Sequence, residues 1–274
     1  MLVLEWINHS ITEYLKVSLY TYQRVGVSNI FPVVAASLAR GSQTERIVMA
    51  LQDKLDAFTA ELVSGGPPYN IPSFVIDTFR KGTAELIASG QASLAIKAGQ
   101  QAPSFTLKDS EGATFSSDRL LSRGPLVVTF YRGVWCPYCN LELQALEEAR
   151  SDIEARGASL VAISMQNAVN SRKSVQQNHL GFPILVDPHG QVAQAFGVRF
   201  ALPDYLIDLY RNVLKNDLAA FNDDTSWSLP MPARYVIAQD GVVAYSEVNP
   251  DYTRRPDPSE LFPVLDHLAR AGAA

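Results

Sequence analysis

The stretch Leu126-Val127-Val128-Thr129-Phe130-Tyr131-Arg132-Gly133-Val134-Trp135-Cys136-Pro137-Tyr138-Cys139 decides the fold class. Its first six residues form a continuous β-branched and aromatic run, the pattern of a strand buried on both faces. Its end is a C-x-x-C that opens a helix carrying Leu141, Leu143, Leu146 and Ala149. Further units follow in alternation: a strand over 159–164, a helix over 170–178, a strand over 182–186 and a short helix over 192–196. Residues 233–238 and 242–248 read as a hairpin turned at Gln239-Asp240-Gly241, and 259–269 as a closing helix. Upstream, short strands over 105–107 and 113–116 flank the turn Asp109-Ser110-Glu111-Gly112. The expected class is α/β, a central sheet with helices on both faces.

Three regions stand apart from that core. Residues 202–228 read as an insert, helix then loop, ahead of the hairpin. Residues 49–95 read as a helical lead-in to the domain at 96–274. There Leu51, Leu55, Phe58 and Leu62 fall at helical spacing, and Gly65-Gly66-Pro67-Pro68 breaks the pattern. A second helix runs over 73–89 and stops at Gly90. Residues 1–48 show apolar residues without a clear period. They are read as an N-terminal extension, with Met49 as an alternative start.

Composition narrows the function. The 274-residue chain is 47% hydrophobic and 19% charged, enough apolar content to fill a core. A net charge of −5 is not the basic footprint that nucleic acid or an anionic membrane requires. The N-terminus lacks the positive start of a signal peptide, and the apolar stretch over 25–39 is short for a membrane span and holds Pro32. The expectation is a soluble cytoplasmic protein without a membrane or nucleic-acid partner.

Only two cysteines are present, fewer than a disulfide-stapled secreted domain uses. Two cysteines placed at random in such a chain fall three apart about once in a hundred cases. The thiolate is the reactive form, and a helix N-terminus or a C-x-x-C lowers the thiol pKa. Pro137 suits the first helical turn, where its missing N–H costs nothing. A spacing of three brings the two sulfurs within disulfide reach, so attack by one is resolved by the other. Two other readings of the pair are half a zinc site and inert buried thiols. Zinc needs about four ligands, and His9, His179, His189 and His267 show no ligand spacing; the strand-to-helix context argues against inert thiols. No cofactor is expected. Trp135 either shields the pair or is a packing aromatic. Met231-Pro232 precedes the hairpin strand, and its two readings are a cis-proline packed against the disulfide and an ordinary turn proline; the first is preferred.

Three segments together resemble the peroxiredoxins: Ala102-Pro103-Ser104-Phe105-Thr106-Leu107, Phe130 to Cys139, and Ala233-Arg234-Tyr235-Val236-Ile237. The likeness is to the peroxiredoxin-like branch of the alkyl hydroperoxide reductase and thiol-specific antioxidant (AhpC/TSA) family. It extends over 49–271, including Gly66-Pro67-Pro68-Tyr69-Asn70 and Asp251-Tyr252-Thr253-Arg254-Arg255. The resemblance implies a thioredoxin-like fold and a thiol-dependent peroxidase acting on hydrogen peroxide and organic hydroperoxides. Thioredoxin or a similar thiol would reset it, and members of the family often dimerise. Laid without gaps, the family motif P-x-x-x-T-x-x-C-x-x-E places its proline on Arg132, its threonine on Cys136, its peroxidatic cysteine on Cys139 and its glutamate on Glu142. The family's arginine falls on Pro232; Arg234 and Arg132 are the candidates to replace it, the alternative for each being a solvated surface arginine. Read as a thioredoxin, Cys136 attacks and Cys139 resolves. Read as a peroxiredoxin, Cys139 attacks and Cys136 resolves. The alternative function is a thioredoxin-type disulfide oxidoreductase without peroxidase activity.

Overall fold

The computed structural model describes residues 49–272. The extension expected over 1–48, and with it His9, lies outside those residues.

Two helices lead in, α1 (Leu51–Val63) and α2 (Ser73–Ala88). In α1 the residues buried are Leu51, Leu55, Phe58 and Leu62, the single stripe that its spacing dictates. The domain then runs β1 (Thr106–Asp109), β2 (Thr114–Ser116), α3 (Ser117–Leu121), β3 (Leu126–Phe130), α4 (Pro137–Ala155), β4 (Ser159–Ser164), α5 (Ala168–Gln177), β5 (Ile184–Val186) and α6 (Gln191–Ala195). After β6 (Arg199–Ala201) come α7 (Asp204–Asp208), a π-helical turn at Leu209–Val213 and α8 (Leu218–Asn222). The chain closes with β7 (Ser228–Pro230), β8 (Ala233–Ile237), β9 (Val243–Val248) and α9 (Leu261–Gly272).

Seven strands form one mixed sheet in the order β2-β1-β5-β4-β3-β8-β9. β3 lies inside it, parallel to β4 and antiparallel to β8, and every one of its residues is buried. Alternation along β3 feeds two cores. Val127 joins the one that holds α1, the start of α4, α9 and both cysteines, while Leu126, Val128 and Phe130 join the one with Phe105, Phe196 and Tyr235. This is the expected thioredoxin-like layering, with the helical lead-in laid over the face that carries the C-x-x-C. Among the described residues no helix is long and apolar enough to cross a membrane.

The structure departs from the sequence reading in two places. The insert is not simply helix then loop: its end, β7, pairs with β6 in a separate two-stranded sheet. Its first helix packs against α2 where Gly82 has no side chain; a Cβ there would stand 2.6 Å from Leu206 Cδ1. Second, Met231–Pro232 is not cis; the cis bond among the described residues is Pro67–Pro68. The chain on either side of Pro232 is hydrogen-bonded, with Met231 N–H donating to the Val198 carbonyl at 2.8 Å and Asn249 N–H donating to the Pro232 carbonyl at 3.2 Å. Trans is the lower-energy isomer of an X–Pro bond by about 0.5–1 kcal/mol, and this bond keeps it.

Candidate active site

The site forms where β3 ends and α4 begins. Cys136 is the N-cap of α4, Pro137 fills its first position and Cys139 follows inside the first turn. The helix is 19 residues long, so its positive end and unpaired N–H groups meet the Cys136 sulfur. The loop between strand and helix is held from below. Gln166 Oε1 accepts the Val134 N–H at 2.9 Å, and the Gln166 amide donates to Tyr131 and Ser174. Asn140 donates to the Val134 carbonyl at 2.8 Å. Gly133 is needed there: its φ is +151°, and a Cβ would lie 2.5 Å from Trp135 Nε1.

Neither arginine candidate is a solvated surface residue. Arg132 is 4% exposed and Arg234 is 1% exposed. Arg132 stands over the rings of Trp135 and Tyr252, with its guanidinium carbon 4.9 and 4.2 Å from their centroids, and donates to the Tyr210 hydroxyl. No carboxylate among the described residues lies within ion-pair distance of it, and its Nε, like Trp135 Nε1, has no hydrogen-bond partner. Trp135 meets Tyr210 edge-on at 5.3 Å and so forms part of an aromatic box around the Arg132 charge.

Arg234 acts one step away. It donates to Glu142 Oε1 at 2.8 Å, and Arg255 donates to the other carboxylate oxygen. Arg255 also places a guanidinium nitrogen 3.6 Å from Cys139 Sγ. Glu142 thus holds two buried arginines, one of them on the second cysteine. Pro232 is buried and lines a small pocket with Arg132, Tyr210 and Tyr252. Sequence reasoning did not single out Arg255, Tyr210 or Tyr252 as site residues. Arg255 and Tyr252 belong to the run Asp251–Arg255 that the family resemblance includes, whereas nothing in the sequence marks Tyr210, which the π turn carries.

Both thiols are buried and free, Cys136 at 2% and Cys139 at 0% exposure. Burial opposes ionisation of both. For Cys136 it is outweighed by a hydrogen bond from the Cys139 thiol and by the charges of Arg132 and Arg255, which together bring the thiol down to about 6. For Cys139, burial, the hydrogen bond it gives and the neighbouring Cys136 charge push the thiol well above its ordinary value, against the pull of Arg255 and Arg132. The arrangement is one ready thiolate beside one protonated thiol.

Cys136 opens onto a cavity of about 390 Å³, the size of a small-molecule site. Arg132, Trp135, Tyr138, Tyr210 and Tyr252 form its floor with Cys136, and Leu62, Val75, Ile76 and Phe79 of α1 and α2 form its walls. Cys139 does not line it. Among the described residues no group of three or more His, Cys, Asp and Glu side chains is placed to hold a metal ion.

The model of the AhpC/TSA family matches residues 98–246, more than half of the chain. The chain belongs to the AhpC/TSA family. Among similar proteins, the thiol-disulfide oxidoreductase ResA of Geobacillus thermodenitrificans is 32% identical over 123 residues, 44% of this chain and 69% of the relative. The chloroplastic peroxiredoxin Q of Populus jackii is 30% identical over 103 residues; these are 38% of this chain and 48% of the relative, about half its length. The solved structure of peroxidoxin BcpB from Mycobacterium tuberculosis superposes with a TM-score of 0.50 at 23% identity, covering 64% of this chain and 97% of the other, and shows the shared fold. As an AhpC/TSA protein the chain is an oxidoreductase with a thioredoxin-like fold. The walls α1 and α2, and residues 251–255, lie outside the matched stretch.

Proposed function

We propose that this AhpC/TSA protein is a thiol peroxidase in which Cys136 attacks and Cys139 resolves. The observation that supports this most strongly is that Cys136, and not Cys139, lines an open cavity together with the Arg132 guanidinium, whose charge helps to lower the Cys136 thiol pKa. The Cys136 thiolate attacks the terminal oxygen of a hydroperoxide. The O–O bond breaks, the terminal OH passes to the sulfur to make a sulfenic acid, and the departing alkoxide or hydroxide takes a proton from solvent to leave as the alcohol or water. The Arg132 guanidinium, which lines the cavity with Cys136, is the cation that stabilises the charge developing on the oxygens. The Cys139 thiol then attacks the Cys136 sulfur, gives up its proton and expels water, leaving a disulfide. Two thiol equivalents reset the pair; the family resemblance names thioredoxin as a donor.

The role assignment departs from the gapless motif, which puts attack on Cys139. Cys139 is shut off from the cavity and held protonated, whereas Cys136 meets the incoming molecule. A dimedone trap tests both statements. Cys139→Ser treated with cumene hydroperoxide is expected to carry the adduct on Cys136, and Cys136→Ser to carry none. An adduct on Cys139 in Cys136→Ser would restore the gapless roles. A second reading, a disulfide oxidoreductase without peroxidase activity, is favoured by Cys136 standing where the family motif has threonine, and by the likeness to ResA. It gains if no peroxide-dependent thiol oxidation is seen while a disulfide substrate is turned over.

A further inference from the structure

We propose that the reductant which resets the Cys136–Cys139 pair is a small apolar thiol entering the cavity, and that α1 and α2 exclude a protein donor. The inference rests on the reading that the pair cycles through a disulfide, and it goes further by naming the class of thiol.

Access decides which sulfur is attacked in thiol–disulfide exchange. A protein donor presents its cysteine on a convex surface and must bring it to bonding distance of the target sulfur. Cys136 is 2% exposed and lies at the base of the cavity, with Leu62, Val75, Ile76 and Phe79 above it. This roof is tied down at several points. Thr59 and Tyr138 share a hydrogen bond at 3.0 Å, and Phe58 packs edge-on against Tyr138 at 5.1 Å. Gln52 accepts the Arg255 N–H at 3.0 Å, and the Leu51 N–H donates to Asp257 at 3.1 Å. The exposed Val63 of α1 and Ile87 of α2 also line the cavity. The cavity's volume of about 390 Å³ suits a small molecule, and its walls suit an apolar one.

The floor adds a preference for the thiolate. Once the disulfide has formed, the Cys136 charge is gone, and the buried Arg132 faces the cavity with no carboxylate at ion-pair distance among the described residues. An incoming thiolate supplies the missing anion. It attacks Cys136 Sγ, the bond to Cys139 breaks, and the electron pair passes to Cys139 Sγ beside the Arg255 guanidinium, where a proton is taken up. A second thiolate attacks the donor's sulfur in the mixed disulfide, Cys136 leaves as thiolate, and the donor departs as its own disulfide. Two thiols are oxidised and one disulfide is reduced.

The test uses the full chain oxidised with diamide, so it does not depend on peroxide. Recovery of the two thiols is followed by alkylation and mass spectrometry with 2-phenylethanethiol, L-cysteine or reduced thioredoxin, the two small thiols at equal thiolate concentration. The aromatic thiol is expected to be faster than cysteine by about tenfold or more, and faster than thioredoxin at equal thiol concentration. Ala84→Trp, at an exposed position on the lip of the cavity, is expected to lower the ratio of the phenylethanethiol rate to the cysteine rate by about tenfold. Reduction fastest with thioredoxin, or a ratio unmoved by Ala84→Trp, would overturn the proposal. Failure of diamide to form the disulfide would instead overturn the proposed catalytic cycle.

Discussion

Cys136 and Cys139 sit three residues apart on the same helix end, yet their surroundings drive the two thiols in opposite directions. Burial raises both; the difference is that Cys136 accepts the shared hydrogen bond and faces Arg132, whereas Cys139 donates it and faces the Cys136 charge. Alkylation of the reduced protein by iodoacetamide should therefore fall on Cys136 first, with half-maximal rate at a pH of about 6. Arg132→Met keeps the bulk and removes the cation, so the midpoint should move to higher pH; an unmoved midpoint would mean that Arg132 does not stabilise the thiolate. Gly133→Ala is expected to destabilise the fold by about 1–3 kcal/mol through strain at a positive φ, seen as a lower urea midpoint, because the added Cβ meets the Trp135 indole at 2.5 Å. The sequence marked both cysteines and Trp135. It did not separate the two thiols, because the groups that do so arrive from β3's end and from residues after β9.

At the scale of elements, α4 carries the chemistry and the strands around it bring the charges. Arg234 on β8 and Arg255 after β9 converge on Glu142 of α4, all three at most 5% exposed. Removing one partner of a buried ionic group leaves the others uncompensated, so Glu142→Ala should cost about 3–5 kcal/mol, measured as a drop in unfolding free energy in urea. The same variant should leave Arg255 free to turn toward Cys139 or away from it, which the Cys136 alkylation profile reports. Glu142 and Arg234 were legible in the sequence because one belongs to the motif helix and the other to the hairpin strand. Their partnership was not, since 92 residues separate them. The spacing of α1 likewise showed one apolar stripe but not that the stripe lies over the cysteines. Pro232 shows the opposite error: the thioredoxin-like reading favours a cis bond before the hairpin strand, and the Met231–Pro232 bond is not cis.

For the whole molecule, the thiol pair makes stability depend on pH. Cys136 is an acid whose folded pKa, about 6, lies below its ordinary value near 9.0. The unfolded state therefore binds more protons between those values, and stability of the reduced protein rises with pH through that window and is lost as pH falls through about 6. The slope is at most about 1.4 kcal/mol per pH unit. Cys139, raised above 9.0, acts the other way at higher pH, so stability is expected to peak near the ordinary thiol value. Guanidinium unfolding under a phosphine reductant between pH 6 and 9 checks this, and Cys136→Ser should flatten the rise.

What the sequence alone determined about this protein is local and periodic. The buried run 126–131, the C-x-x-C at a helix start, the hairpin at Gly241 and the stripe of α1 each follow from residues within one turn or one strand of each other. That is enough for a thioredoxin-like α/β domain with thiol chemistry. The tertiary structure alone decided which sulfur is exposed to a cavity, which arginines touch the pair, and that the lead-in helices roof it. These depend on contacts between residues far apart in the chain, such as Thr59 with Tyr138, Arg132 with Tyr210 and Arg255 with Cys139. No period or spacing encodes such contacts; they exist only once burial of the two apolar faces of the sheet has folded those segments onto one another.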